Sequence, residues 1–226
     1  MKRKEHWERI YRSNRPTELS WFQAEPALSL RLIENAGIGK DRRIIDVGGG
    51  GSALAGCLLR AGFERVAVLD ISAEALRHAQ KRLGARAGGV EWLEADVRKI
   101  DPPCRFDLWH DRAAFHFLVK KRERQAYMET LRRALAKDGQ AIIATFAADG
   151  PARCSGLAVA RYDAAGMSEA MGAEFELVEQ VDETHVTPSK AEQRFSYFRF
   201  RRLGRGTARG RRTDAGRRTS MSIAGR

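Results

Sequence analysis

Cysteine and proline are scarce in this 226-residue chain, and no long apolar run interrupts it. The three cysteines, Cys57, Cys104 and Cys154, are odd in number and far apart, and no CxxC pair occurs. That excludes a disulfide framework and a thiolate zinc site. No apolar stretch reaches the roughly 18 residues that a membrane helix needs. The start, Met1-Lys2-Arg3-Lys4-Glu5-His6-Trp7-Glu8-Arg9, is basic but has no apolar segment behind it. This argues against a secretory signal, and the early acids argue against a mitochondrial transit peptide. The expected compartment is the reducing cytoplasm. The histidines His6, His78, His110, His116 and His185 share no ligand spacing such as HExxH, so no metal is expected. A GxSxG elbow is absent, which disfavours a hydrolase.

What is present is a soluble α/β composition. Hydrophobic residues make up 43% and charged residues 31%, enough for one domain with a sizeable core. The net charge of +12 invites a nucleic-acid reading, but it is unevenly placed. Residues 204–226 hold seven arginines against one acid, which is half of the excess. This Gly/Arg/Thr/Ser segment cannot build a core and is expected to be disordered. It has no aromatics for base stacking, so it would hold phosphates without sequence preference. The expected organisation is a body over 1–203, with a helical N-terminal cap over about 1–39, followed by the tail.

Within the body, Trp7, Ile10 and Tyr11 fall on one side of a short helix over 4–13, which Pro16 ends. A second helix is expected over about 25–36. Then strands and helices alternate. Strands are expected at 44–47, 65–70, 90–93, 106–109 and 140–146, with helices at 52–61, from 73 behind the cap Ser72, and at 121–136. A short helix at 163–171 precedes two strands at 175–181 and 194–200, expected to be antiparallel to each other. The pattern predicts a doubly wound, Rossmann-like parallel sheet.

The run Asp46-Val47-Gly48-Gly49-Gly50-Gly51-Ser52 sits between the first strand and its helix. Glycines there let a ligand touch the backbone, and the helix start offers free N–H groups. Asp70 ends the second strand at the spacing of a ribose-binding acid. The loop lacks Gly-Lys-Ser/Thr, which disfavours nucleoside triphosphates, and it has no glycine at Ala53, which leaves a nicotinamide-dependent oxidoreductase as a lesser alternative.

Taken together, these segments resemble the class I S-adenosylmethionine-dependent methyltransferases over residues 20–201. Asp46 to Ser52 is similar to their first motif, and Asp70 to their ribose-binding acid. Glu94-Ala95-Asp96-Val97 resembles their adenine motif, and Phe106-Asp107-Leu108-Trp109-His110-Asp111 their fourth strand. The resemblance implies seven strands with the last antiparallel, and S-adenosylmethionine as cofactor. Its implied cofactor contacts are Asp46, Gly48, Gly49, Gly50, Ser52, Asp70, Ile71, Asp96, Val97 and His110. Arg15 to Phe22 and His110 to His116 further resemble two branches, the thiopurine and tellurite methyltransferases and the lysine methyltransferases related to those of citrate synthase and elongation factors. The lysine branch carries Asp-Lys-Gly-Thr where this chain has Asp111-Arg112-Ala113-Ala114, which argues against a protein-lysine acceptor. No NPPY-like motif of the nucleic-acid members is present. The expectation is therefore methyl transfer to a small molecule, with a protein-lysine enzyme or an RNA-modifying protein using the basic tail as alternatives.

A sulfonium is already an excellent leaving group, so alignment of the acceptor matters most, and a base is needed only for a protonated nucleophile. Asp111, His110, His116 and His185 are the candidates for that role. Acceptor contacts are expected from Trp21 and Phe22 as a lid, from Asp111 and Arg112, and from Arg161 and Tyr162 toward an anionic acceptor.

Overall fold

The buried run Ile44-Ile45-Asp46-Val47 forms the central strand of a computed structural model that describes residues 3–204. This strand, β1 (Arg43–Val47), pairs in parallel with β2 (Arg65–Asp70) on one side and with β4 (Phe106–Arg112) on the other. With β3 (Val90–Glu94), β5 (Leu135–Phe146), β8 (Phe175–Val186) and β9 (Glu192–Arg202), they make a seven-stranded sheet in the order β3-β2-β1-β4-β5-β9-β8. Only β9 runs against its neighbours, pairing antiparallel with both β5 and β8. The expected doubly wound sheet with an antiparallel last strand is the observed one.

Alternation along the buried strands divides the core in two. Ile44, Leu108 and Ile142 face α2 (Ala27–Asn35), α3 (Leu54–Arg60) and α4 (Ala73–Leu83), packing on Leu32, Leu54, Leu58 and Leu76. Ile45, Trp109 and Ile143 face α5 (Lys121–Ala134) and α6 (Ala164–Met171), packing on Tyr127, Leu131, Met167 and Met171. The winding reverses between β1 and β4, and the crevice that this reversal opens at the carboxyl ends of the strands is where such sheets bind ligands.

Three departures from the sequence reading bear on that crevice. β4 continues to Arg112 instead of stopping at Trp109, so His110, Asp111 and Arg112 alternate across the sheet. Asp138 and Gly139, between the expected helix and strand, lie inside β5, whose pairing with β4 shifts register there. A two-residue hairpin, β6 (Arg153–Cys154) with β7 (Leu157–Ala158), follows β5 and was not expected.

Helix α1 (Arg3–Ser13) roofs the crevice. The Glu8 carboxylate accepts from the backbone N–H groups of Ala73 (2.9 Å) and Glu74 (3.4 Å), supplying an acid to the first turn of α4 from a distant segment. Arg3 donates to the Phe117 carbonyl and to Glu123. No helix among the described residues is long and apolar enough to cross a membrane. The expected tail, beyond Gly204, lies outside the described residues.

Candidate cofactor and acceptor cleft

The glycine loop is shaped by close approach. Gly48 is left-handed (φ 70°), and a Cβ there would come within 2.9 Å of the Ala114 Cβ. A Cβ at Gly50 would lie 2.5 Å from the Ala75 Cβ and 2.8 Å from Asp70 Oδ2. This tightness brings the Gly50 N–H to Asp70 Oδ2 (3.0 Å), while the Ser72 N–H donates to Oδ1 (2.9 Å). The Asp70 carboxylate is therefore held from both sides by backbone. Burial pushes its pKa up to about 6, against the pull of those N–H groups.

Asp70 lines a cleft enclosing about 750 Å³, part of it open to solvent, together with Gly48, Ile71, Asp96 and Val97. Burial raises the Asp96 carboxyl, but Arg98 outweighs this and holds it below the usual range, donating from its backbone N–H (3.0 Å) and its guanidinium (2.9 and 2.5 Å).

Aromatic side chains line the same cleft beside these carboxylates. Trp7 stands edge-on to Trp21 (5.8 Å between centroids) and to Phe117 (4.9 Å). Tyr11 and Trp21 cover the glycine loop: a Cβ on Gly51 would fall 2.7 Å from the Tyr11 hydroxyl and 3.2 Å from Trp21 Nε1. Arg112 and Cys154 complete this lining. The Arg112 side chain is 9% exposed and stacks on Phe195 (4.4 Å to the centroid). Its Nε donates to the Tyr197 hydroxyl (2.7 Å) and Nη1 to the Trp21 carbonyl (2.9 Å).

Arg112 also borders a second cavity of about 410 Å³, which holds a buried polar chain. Ser29 Oγ, on α2, lies 3.0 Å from His110 Nε2, and His110 Nδ1 lies 2.7 Å from Asp46 Oδ1. All three residues are no more than 2% exposed. The other oxygen, Asp46 Oδ2, is buried with no hydrogen-bond partner.

The sequence candidates divide accordingly. Gly48, Asp70, Ile71, Asp96, Val97, Trp21 and Arg112 line the larger cleft, and Asp46, Gly49, Ser52, His110 and Phe22 line the smaller cavity. Gly50 acts through its N–H to Asp70. Asp111 lines neither cavity. As the odd member of the His110-Asp111-Arg112 alternation it points to the α5 face, where Oδ1 accepts from the Ala114 and Phe115 N–H groups (2.9 and 3.1 Å) and Oδ2 from the Tyr127 hydroxyl (2.7 Å). Burial pushes its pKa up to about 6. His116 is wholly buried; burial, with the nearby Arg112 charge, takes its pKa down to about 3, and Nδ1 accepts from the Phe146 N–H at 3.4 Å. His185 Nε2–H donates to the Ser20 carbonyl (2.8 Å) and so tethers the segment before Trp21. Burial lowers its pKa. Arg161 reaches the Gly150 carbonyl on the surface, and Tyr162 packs on Phe115. These five residues thus stand outside the cleft walls. Conversely, Trp7, Tyr11, Ser29 and Phe117 enter the two cavities without having been singled out as site residues. The helical spacing of Trp7 and Tyr11 was visible, but not the surface that it faces.

The sequence matches the family described as a methyltransferase domain over residues 44–139, the stretch from β1 through β5's opening turn. The strand order and the lone antiparallel β9 agree with that match. The chain thus carries a methyltransferase domain over that stretch, and its fold is that of S-adenosylmethionine-dependent methyltransferases. No curated protein matches this methyltransferase in sequence. Among solved structures, a methyltransferase from Anabaena variabilis superposes with a TM-score of 0.69 at 16% identity, over 89% of this chain and 96% of that one. A structure described for the conversion of a disulfide bond into a thioacetal group during echinomycin biosynthesis gives 0.72 at 20%, over 88% and 92%. The 1,6-didemethyltoxoflavin-N1-methyltransferase of Burkholderia thailandensis, bound to 1,6-didemethyltoxoflavin and S-adenosylhomocysteine, gives 0.59 at 20%, over 76% of each chain. At such identities these likenesses concern the fold.

Proposed function

We propose that this methyltransferase passes the methyl group of S-adenosylmethionine to a small-molecule acceptor held at the aromatic wall of the larger cleft. The observation that carries the reading is the lining of that cleft: the anchored carboxylates Asp70 and Asp96 beside a wall of Trp7, Trp21 and Phe117. A roofed, aromatic chamber suits a compact acceptor better than a protein side chain or a nucleic acid strand. The Burkholderia methyltransferase, bound to 1,6-didemethyltoxoflavin, supports the same class of acceptor. The spacing of the cysteines supports a reducing, cytoplasmic setting.

The residues fit the cofactor. Asp70 offers a fixed carboxylate to vicinal hydroxyls, and Asp96 and Val97 flank the place of the base. Asp46 Oδ2, buried and unpartnered, is the acceptor that an ammonium group requires, since leaving it bare costs about 1–3 kcal/mol. Bound S-adenosylmethionine supplies an activated methyl on a sulfonium. The chain's own part is alignment: the aromatic walls confine the acceptor, and α1 with Trp21 excludes water.

Calorimetry with S-adenosylhomocysteine and NADH, followed by transfer of labelled methyl to a panel of amines, thiols and phenols, tests the proposal. Binding of S-adenosylhomocysteine and label in a small acceptor are expected. Tight NADH binding with no response to S-adenosylhomocysteine, or label found only in protein or RNA, would overturn it.

A further inference from the structure

Arg112 carries more donors than its surroundings use. Nε and Nη1 are engaged by Tyr197 and the Trp21 carbonyl, but Nη2 is buried without a hydrogen-bond partner. Glu183 is the nearest anion, yet its Oε2 stands 3.6 Å from Nη2, beyond hydrogen-bond range. Both Glu183 oxygens are already committed, Oε1 to Gln23 (3.0 Å) and Oε2 to the Tyr197 hydroxyl (2.8 Å). The guanidinium is also held over the Phe195 ring. A rigid, desolvated guanidinium with spare N–H groups at the edge of a cavity matches a carboxylate, whose two oxygens accept parallel bonds.

Its place in the sheet says whose carboxylate this is. Asp96 follows β3, Asp70 ends β2, and Asp46 with Gly48 ends β1. A nucleoside laid along these ends reaches β1 with its aminoacyl group. Arg112 stands one strand further, on β4, and faces the aromatic chamber. We propose that Arg112 is the carboxylate-binding residue of the acceptor site, and that the acceptor is a small organic acid whose carboxylate pairs with this guanidinium beside Trp21. The proposal rests on the methyltransferase reading for the word acceptor, but not for the anion site itself.

The test uses the full chain saturated with S-adenosylhomocysteine, with benzoate and benzamide as probes and tryptophan fluorescence as the signal, since Trp7 and Trp21 line the cleft. Benzoate should quench saturably and bind about tenfold or more tighter than benzamide, the margin expected of a charge-assisted pair. Arg112→Gln should abolish that preference while leaving S-adenosylhomocysteine affinity unchanged, and Arg112→Lys should keep part of it. If Arg112→Gln fails to fold, the wild-type preference together with Arg112→Lys still decides. Equal binding of the two probes, or a preference that survives Arg112→Gln, overturns the proposal. So does competition between benzoate and S-adenosylhomocysteine, which would assign the guanidinium to the cofactor's own carboxylate. Absence of S-adenosylhomocysteine binding in the wild type, with an Arg112-dependent benzoate site intact, would instead sink the transferase reading and leave the anion site standing.

Discussion

The two faces of β4 carry polar residues of similar chemistry into opposite surroundings. On one face His110 and Arg112 border the cavities, and each belongs to a group with a polar atom still unmatched, Asp46 Oδ2 and Arg112 Nη2. On the other, Asp111 is enclosed, and both of its oxygens are taken by Tyr127 and by the backbone of the turn after the strand. An unmatched buried atom beside a cavity is a demand for a ligand, whereas a fully matched one inside the core is a structural tie. Strand alternation alone thus puts His110 and Arg112 at the cavities and Asp111 in the core.

The comparison breaks most visibly at Asp111. Asp111→Ala strands two N–H groups and the Tyr127 hydroxyl, and the expected loss is about 4 kcal/mol of stability, summed from orphaned donors. Urea unfolding should show this, while S-adenosylhomocysteine affinity of the folded fraction stays at the wild-type value. A variant that folds normally and loses turnover would move Asp111 to the acceptor. His116 gives the next largest effect. Its folded pKa of about 3 lies below the ordinary 6.5, so its neutral form contributes stability above pH 6.5 that is lost as pH falls toward 3. Relative to the wild type, His116→Phe should therefore gain about 3 kcal/mol of stability between pH 7 and pH 4. Parallel stability curves for the two proteins would contradict this. On the cleft side, Asp70→Ala should weaken S-adenosylhomocysteine binding by about 2 kcal/mol, because two ligand hydroxyls lose their acceptor. Unchanged calorimetric affinity would remove Asp70 from the cofactor site.

How legible these roles were depends on how local their causes are. β2 was read with its observed bounds, and Asp70 with it, because a buried strand, a glycine loop and an acid lie within one strand–helix–strand unit. The same holds for the Ser72 cap of α4, which accepts from the Ala75 N–H. Asp111 was read at the carboxyl end of the fourth strand, but with the strand ended at Trp109 the alternation that turns its side chain toward α5 could not be seen. Arg112 depends on Tyr197 and Trp21, 85 and 91 residues away in sequence, and such partners leave no periodic trace. Trp7 and Tyr11 showed their spacing, but their burial against the glycine loop follows from where α1 docks, through Glu8 on α4.

The finest test of the two-face division lies in the chain Ser29–His110–Asp46. If it is architecture, its loss lowers stability and leaves ligand selectivity alone. If it serves recognition, it acts by occupying Asp46 Oδ1 and presenting Oδ2. Two ligands separate these outcomes: S-adenosylhomocysteine, which has the aminoacyl ammonium, and methylthioadenosine, which lacks it. His110→Gln should weaken the first by about 1 kcal/mol, the scale of one hydrogen bond to an ionised group that has lost its orientation, and leave the second unchanged. Ser29→Ala, one bond further from the carboxylate, should show the same selectivity at about half that size. Equal weakening of both nucleosides would mean that the chain only holds α2 against the sheet, and the ammonium site would then need another explanation than Asp46.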